Sequence, residues 1–208
     1  MVTSSRARAS VRRAALAAAL TSGLIALLGG LLAAPAQATT EEVSYPTTAE
    51  GYAPYQPQTK CIRTPRSGIL LMADWLTARG GGFGPISRSC TTGGITEHKE
   101  SRAFDWMLDA TDPADVALAD EILAELFATD AEGQTHAVAR RMGVMYVIWN
   151  DRVWASYRNF EPRAYLNSGC RNRRTCSTTL RHRDHMHISL VRKGANGRMS
   201  WYLAQHSD

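Results

Sequence analysis

The run from Ala103 to Leu108 has the apolar character of a buried strand, and Asp105 stands inside it. A carboxylate removed from water is costly unless it is paired, hydrogen-bonded or bound to a cation. A chain with such a strand must fold so that a partner for Asp105 arrives from elsewhere. The sequence offers two sources. His98 lies seven positions earlier, in the stretch Thr96-Glu97-His98-Lys99-Glu100-Ser101-Arg102-Ala103-Phe104-Asp105. A second stretch, Asp184-His185-Met186-His187, supplies two imidazoles on alternate residues, preceded by a further carboxylate. His185 to Leu190 reads as a strand. Its period of two puts His185, His187 and Ser189 on one face and Met186, Ile188 and Leu190 on the other. The apolar face is expected to pack on helices and the histidine face to look into a cleft.

Other periodicities supply the scaffold. Ser67 to Arg79 carries Ile69, Leu70, Met72, Ala73, Leu76 and Thr77 at helical spacing, and Gly80-Gly81-Gly82 stops it. Asp112 followed by Pro113 is a helix start, with Asp115 in the first turn. Val116, Ala119, Ile122, Leu123, Leu126 and Phe127 form its apolar face, while Asp120, Glu121 and Glu125 read as solvated. Gly143 to Trp149 and Arg152 to Tyr157 are strand-like runs joined by the hairpin pair Asn150-Asp151. The expected architecture is α+β, a small antiparallel sheet flanked by helices over residues 61–208. Residues 39–60 read as an extended segment leading into it.

The N-terminal residues are expected to lie outside the fold. Arg6, Arg8, Arg12 and Arg13 precede an Ala/Leu-rich run that ends in Ala36-Gln37-Ala38, the pattern of a secretory signal peptide spanning 1–38. An uncleaved membrane anchor is the competing reading. Cleavage would leave 20 basic residues against 19 acidic, lowering the formal balance from +5 to +1. The high isoelectric point therefore belongs mostly to the leader, and nucleic acid is not an expected partner. The expected product is a secreted monomer without a membrane span, free or associated with the cell wall. Charge remains divided along the chain, acidic over 97–132 and basic over 152–198, so a basic rim could receive an anionic polymer or a terminal carboxylate. All four cysteines, Cys61, Cys90, Cys170 and Cys176, follow the leader. In an oxidising compartment they read as two disulfides. Three pairings are open; Cys61–Cys90 with Cys170–Cys176 is favoured, against a four-cysteine zinc site that lacks close Cys-x-x-Cys spacing.

A hydrolytic zinc centre needs about three His or Asp/Glu ligands, and a further carboxylate that takes a proton from water. The two stretches meet that list only together. The first resembles the Ser-x-His-x-x-Gly-x-Ala-x-Asp signature of the D-Ala-D-Ala carboxypeptidases and dipeptidases, zinc peptidases grouped with lysostaphin-type enzymes and the N-terminal domain of sonic hedgehog. Thr96, His98, Ala103 and Asp105 keep the pattern, and Ser101 stands where glycine is usual. Asp184 and His187 resemble the second motif, with Asp where Glu is more frequent. The resemblance implies a hedgehog- or DD-peptidase-like fold and one Zn2+ held by His98, Asp105 and His187, with water at the fourth position. It makes Asp184 the general base and His185 a hydrogen-bond donor to the water or oxyanion. It also implies an upstream arginine for the substrate's carboxyl end, for which Arg88 is the candidate and Arg66 the reserve. Arg102 is an alternative salt-bridge residue, and Glu97 and Glu100 read as solvated neighbours. His136, His182 and His206 have no such partners in the sequence and are left out of the metal's ligands.

The function so implied is a secreted zinc metallopeptidase hydrolysing D-amino-acid-containing bonds of peptidoglycan peptides. Two alternatives stand beside it. One is a secreted binding protein of the same fold, with zinc structural or vestigial. The other is a secreted nuclease or phosphodiesterase using the basic 152–198 segment.

Overall fold

The computed structural model describes residues 44–205, all within the compact unit Glu41–Asp208. The expected leader at 1–38 and His206 lie outside the described residues. Among the described residues, six strands form one antiparallel sheet in the order β1-β2-β6-β3-β4-β5. They are β1 (Gly82–Phe83), β2 (Ala103–Met107), β3 (Val144–Trp149), β4 (Arg152–Ala155), β5 (Arg163–Ala164) and β6 (Met186–Leu190). Five helices accompany them: α1 (Ser67–Thr77), α2 (Pro113–Phe127), α3 (Ala137–Met142), α4 (Arg192–Ala195) and α5 (Ser200–Ala204). The α+β expectation holds.

Local chemistry explains most element boundaries. Asp112 caps α2 by accepting the Ala114 amide at 2.8 Å, and Pro113 follows in the first turn. Asn150 and Asp151 both take positive φ, 45° and 64°, as the tight hairpin turn between β3 and β4 requires. The two-residue strands β1 and β5 were not expected, because a strand of that length carries no periodicity.

The sheet has two differently used faces. Phe104 and Trp106 of β2 lie opposite Ile188 and Met186 of β6, and these side chains enter a core with Ile69, Met72 and Leu76 of α1 and Ile122 and Leu126 of α2. Each such side chain contributes about 1.5–3 kcal/mol by leaving water. On the reverse face the same register sets Asp105 opposite His187 and Ala103 opposite Ser189. The period-two reading of β6 is therefore right about which residues share a face. The polar face is buried as well, however, for every residue of β6 is buried.

Both favoured disulfides, Cys61–Cys90 and Cys170–Cys176, are present, so no four-cysteine metal site forms. They fit an oxidising environment. No helix among the described residues is long and apolar enough to cross a membrane.

Candidate metal centre

His98 sits in a 3-10 turn, Glu97–Glu100, that ends at Ser101 in the left-handed region with φ 48°. That conformation suits glycine, the residue usual there in the motif, and costs a serine strain. Here the Ser101 hydroxyl donates to the Ile62 carbonyl at 2.6 Å, a bond glycine lacks. The reversal at Ser101 launches β2, so His98 and Asp105 arrive on the same side of the sheet. Gly84 keeps the neighbouring segment close: a Cβ there would lie 2.1 Å from the Asp105 carbonyl oxygen.

Three donor atoms converge. His98 Nε2 is 3.0 Å from Asp105 Oδ1 and 3.2 Å from His187 Nδ1, and His187 Nδ1 is 2.9 Å from the same carboxylate oxygen. A tetrahedral ion with bonds of about 2.0–2.1 Å separates its ligand atoms by about 3.3 Å, so the triangle is nearly of the required size. Its protonation fits too. The Ile86 carbonyl, 3.1 Å from His98 Nδ1, can only accept, so Nδ1 carries the proton. With the proton at Nδ1, the Nε2 atom that faces Asp105 and His187 is the one available to a cation. His98, Asp105 and His187, all buried, can hold a metal ion.

Burial by itself would raise the Asp105 pKa. When His187 and His98 are protonated they donate to it, and these hydrogen bonds and charges outweigh burial and hold the carboxyl far below its usual range. Burial depresses the His187 pKa, opposed by its bond to Asp105. Both directions favour the deprotonated forms that ligate metals.

The remaining residues named from the sequence divide into neighbours and structural ties. Arg88 Nη2 reaches Asp105 Oδ2 at 3.2 Å, and its side chain stays 50% exposed, so it borders the centre and faces solvent. His185 directs Nε2 toward the cluster, 3.6 Å from Asp105 Oδ1, while its Nδ1 lies 2.7 Å from Asp184 Oδ1. The other Asp184 oxygen accepts the Thr179 hydroxyl at 2.5 Å. Burial opposes the ionised form of Asp184, but these two hydrogen bonds prevail and lower its pKa. Both oxygens being engaged, Asp184 reaches the cluster through the His185 ring. Arg66 is a structural tie: it donates to the Glu100 carbonyl at 3.0 Å and to Asn196 Oδ1 at 2.5 Å.

The solvated reading of Glu97 and Glu100 is corrected. Their exposures are 4% and 1%. Glu100 receives the Thr59 and Lys60 amides, Arg102 Nε at 2.6 Å and Arg192 Nη2, tying the segment before the first helix to the sheet. These bonds overcome its burial and lower its pKa to about 2. Arg102 is fully buried; besides Glu100 it donates to the Leu190 and Gln56 carbonyls. Set among polar and charged neighbours, Glu97 and Glu100 looked like surface, because the partners that Glu100 and Arg102 find in Thr59, Lys60, Arg192, Leu190 and Gln56 lie 40 or more positions away.

His182 is not one of the three converging donors, but it lies beside them. Its ring centroid is 4.7 Å from that of His185 and 5.7 Å from that of His187, and burial and these two rings depress its pKa to about 3. Nothing in the Arg-rich loop signalled this, since the loop's return to the sheet is a tertiary event. His136, by contrast, lies apart from the cluster and pairs with the Tyr52 hydroxyl at 2.8 Å.

The family described as VldE, C-terminal domain, matches residues 64–174. That segment contains Arg88, His98 and Asp105, and ends before Asp184, His185 and His187. No curated protein and no solved structure matches the chain. Because the matched segment spans more than half of the 208 residues, the chain belongs to the VldE C-terminal domain family.

Proposed function

We propose that this protein is a secreted zinc peptidase acting on peptidoglycan peptides, with His98, Asp105 and His187 as the metal ligands. The observation that carries the reading is the triangle of three buried donors whose lone pairs converge at ligand spacing. Two imidazoles and one carboxylate are a donor set that hydrolytic zinc uses, with room for a further ligand. When bound, zinc supplies Lewis acidity that polarises a carbonyl and makes water easier to deprotonate near neutral pH.

The chain's own side chains supply the rest. Asp184 and His185 form a carboxylate–imidazole pair aimed at the cluster, and handle the proton as a unit: they take it from the attacking water and return it to the leaving amine. A purely structural ion needs no such pair, which favours catalysis over binding alone. Arg88, half in solvent and held by Asp105, is placed to receive the substrate's carboxylate or the carbonyl beside the scissile bond. The substrate class rests on the motif resemblance, on the expected export and on disulfides suited to an extracellular site.

The test is digestion of purified peptidoglycan by the mature chain, with mass analysis of released peptides. His98→Ala and His187→Ala should lose both zinc and hydrolysis. Asp184→Ala should keep zinc and lose turnover; full activity in that variant would overturn the assigned proton path.

A further inference from the structure

Behind His187 lies a buried polar chain that the proposed reaction does not use. His187 Nε2, the nitrogen turned away from the triangle, is 2.9 Å from Ser189 Oγ. Ser189 lies opposite Tyr146 in the β3–β6 register, where the ladder is irregular between Val144 and Tyr146, which brings its hydroxyl to the side of the Tyr146 phenol. The Tyr146 hydroxyl then donates to Glu97 Oε2 at 2.5 Å. The Tyr146 ring also stacks on the His187 ring, centroids 5.5 Å apart and planes 17° apart. Ser189 is fully buried and Glu97 nearly so.

The acceptor at the end of this chain sets the direction of its donors. The Tyr146 hydroxyl gives its single proton to the Glu97 carboxylate oxygen. The Tyr146 oxygen is left with lone pairs, which can take the Ser189 proton. The Ser189 oxygen is left with lone pairs and takes a proton from His187 Nε2. A neutral imidazole protonated at Nε2 has its lone pair at Nδ1, the atom that enters the triangle.

On the reading of His98, Asp105 and His187 as metal ligands, we propose that Glu97, Tyr146 and Ser189 are positioning residues that fix the His187 tautomer and ring plane for metal binding through Nδ1. Glu97 therefore acts from within the first motif on a ligand in the second. Without the chain, Asp105 Oδ1, 2.9 Å from His187 Nδ1, competes for the imidazole proton and would draw it onto the ligating nitrogen.

The experiment uses the full mature chain with Ser189→Ala and Tyr146→Phe. Zinc affinity is read by competition with a chromogenic chelator, and the His187 tautomer by nitrogen-15 NMR of metal-free protein. Chelator-treated thermal unfolding checks that each variant is folded. Removing a hydrogen-bond partner behind a ligating histidine weakens metal binding roughly 10- to 100-fold, and that loss is expected for both variants. The wild type should carry the His187 proton on Nε2, and the variants should shift it toward Nδ1. Wild-type zinc affinity in both folded variants, or a wild-type proton on Nδ1, would overturn the positioning role. Failure of the wild type itself to bind zinc would instead overturn the metal-centre reading.

Discussion

Asp105→Asn separates a metal ligand from a structural carboxylate at nearly constant shape. The amide oxygen can still face His98 and His187, and the side chain fills the same buried volume. Without metal two effects oppose each other. Charge-assisted hydrogen bonds worth about 1.5–3 kcal/mol weaken, while the cost of burying an ionised group disappears. The ion pair with half-exposed Arg88 adds only about 0–1 kcal/mol. The metal-free unfolding temperature should therefore change little. Zinc should distinguish the two proteins sharply. At a free concentration of about 1,000 times Kd, a metal that binds only the folded state stabilises it by about 4 kcal/mol. At roughly 2–4 °C per kcal/mol for a domain of this size, the wild type should gain roughly 8–16 °C. The variant, lacking the anionic ligand, should lose most of that gain. Differential scanning calorimetry with chelator and with buffered zinc measures both quantities. An Asn variant with the full zinc-dependent rise would refute Asp105 as a ligand.

Other consequences are equally direct. Asp184→Ala and His185→Ala should each retain zinc and lose peptide hydrolysis roughly 100- to 10,000-fold, read by single-turnover assay beside metal analysis. Gly84→Ala should lower both the unfolding temperature and zinc affinity, because its Cβ would force the Asp105 backbone aside; calorimetry and chelator competition test this. Glu100, whose folded pKa lies near 2 against an ordinary value near 4.5, contributes stability that is complete above the ordinary value and is lost as pH falls toward 2. The stake is about 3 kcal/mol, so Glu100→Gln should flatten the acid limb of a stability-versus-pH curve between those values.

The parts of the molecule legible in its sequence are those set by local chemistry. The cap at Asp112-Pro113, the turn at Asn150-Asp151 and the alternation of His185, His187 and Ser189 each act within a few residues. Asp105 was legible for another reason: a carboxylate in an apolar strand announces a partner without saying where it lies. The buried roles of Glu97, Glu100 and His182 were not legible. Those of Glu97 and Glu100 depend on groups brought from far along the chain, such as Tyr146 for Glu97 and Arg192 for Glu100, and that of His182 on the loop folding its ring back onto His185 and His187. Their local surroundings, polar and charged, read as surface. Ser189 lay on the correct face in the sequence, but its chain to Glu97 needed the β3–β6 register.

The central claim is that three converging donors hold a zinc ion used for peptide hydrolysis. Its most direct measurement is the metal content of the purified mature chain by inductively coupled plasma mass spectrometry, paired with mass analysis of peptides released from peptidoglycan. The account predicts one zinc per chain and newly freed amino and carboxyl ends that disappear when zinc is removed and return when it is restored. A chain that binds no zinc, or that binds one and releases no peptide from the wall, would contradict it.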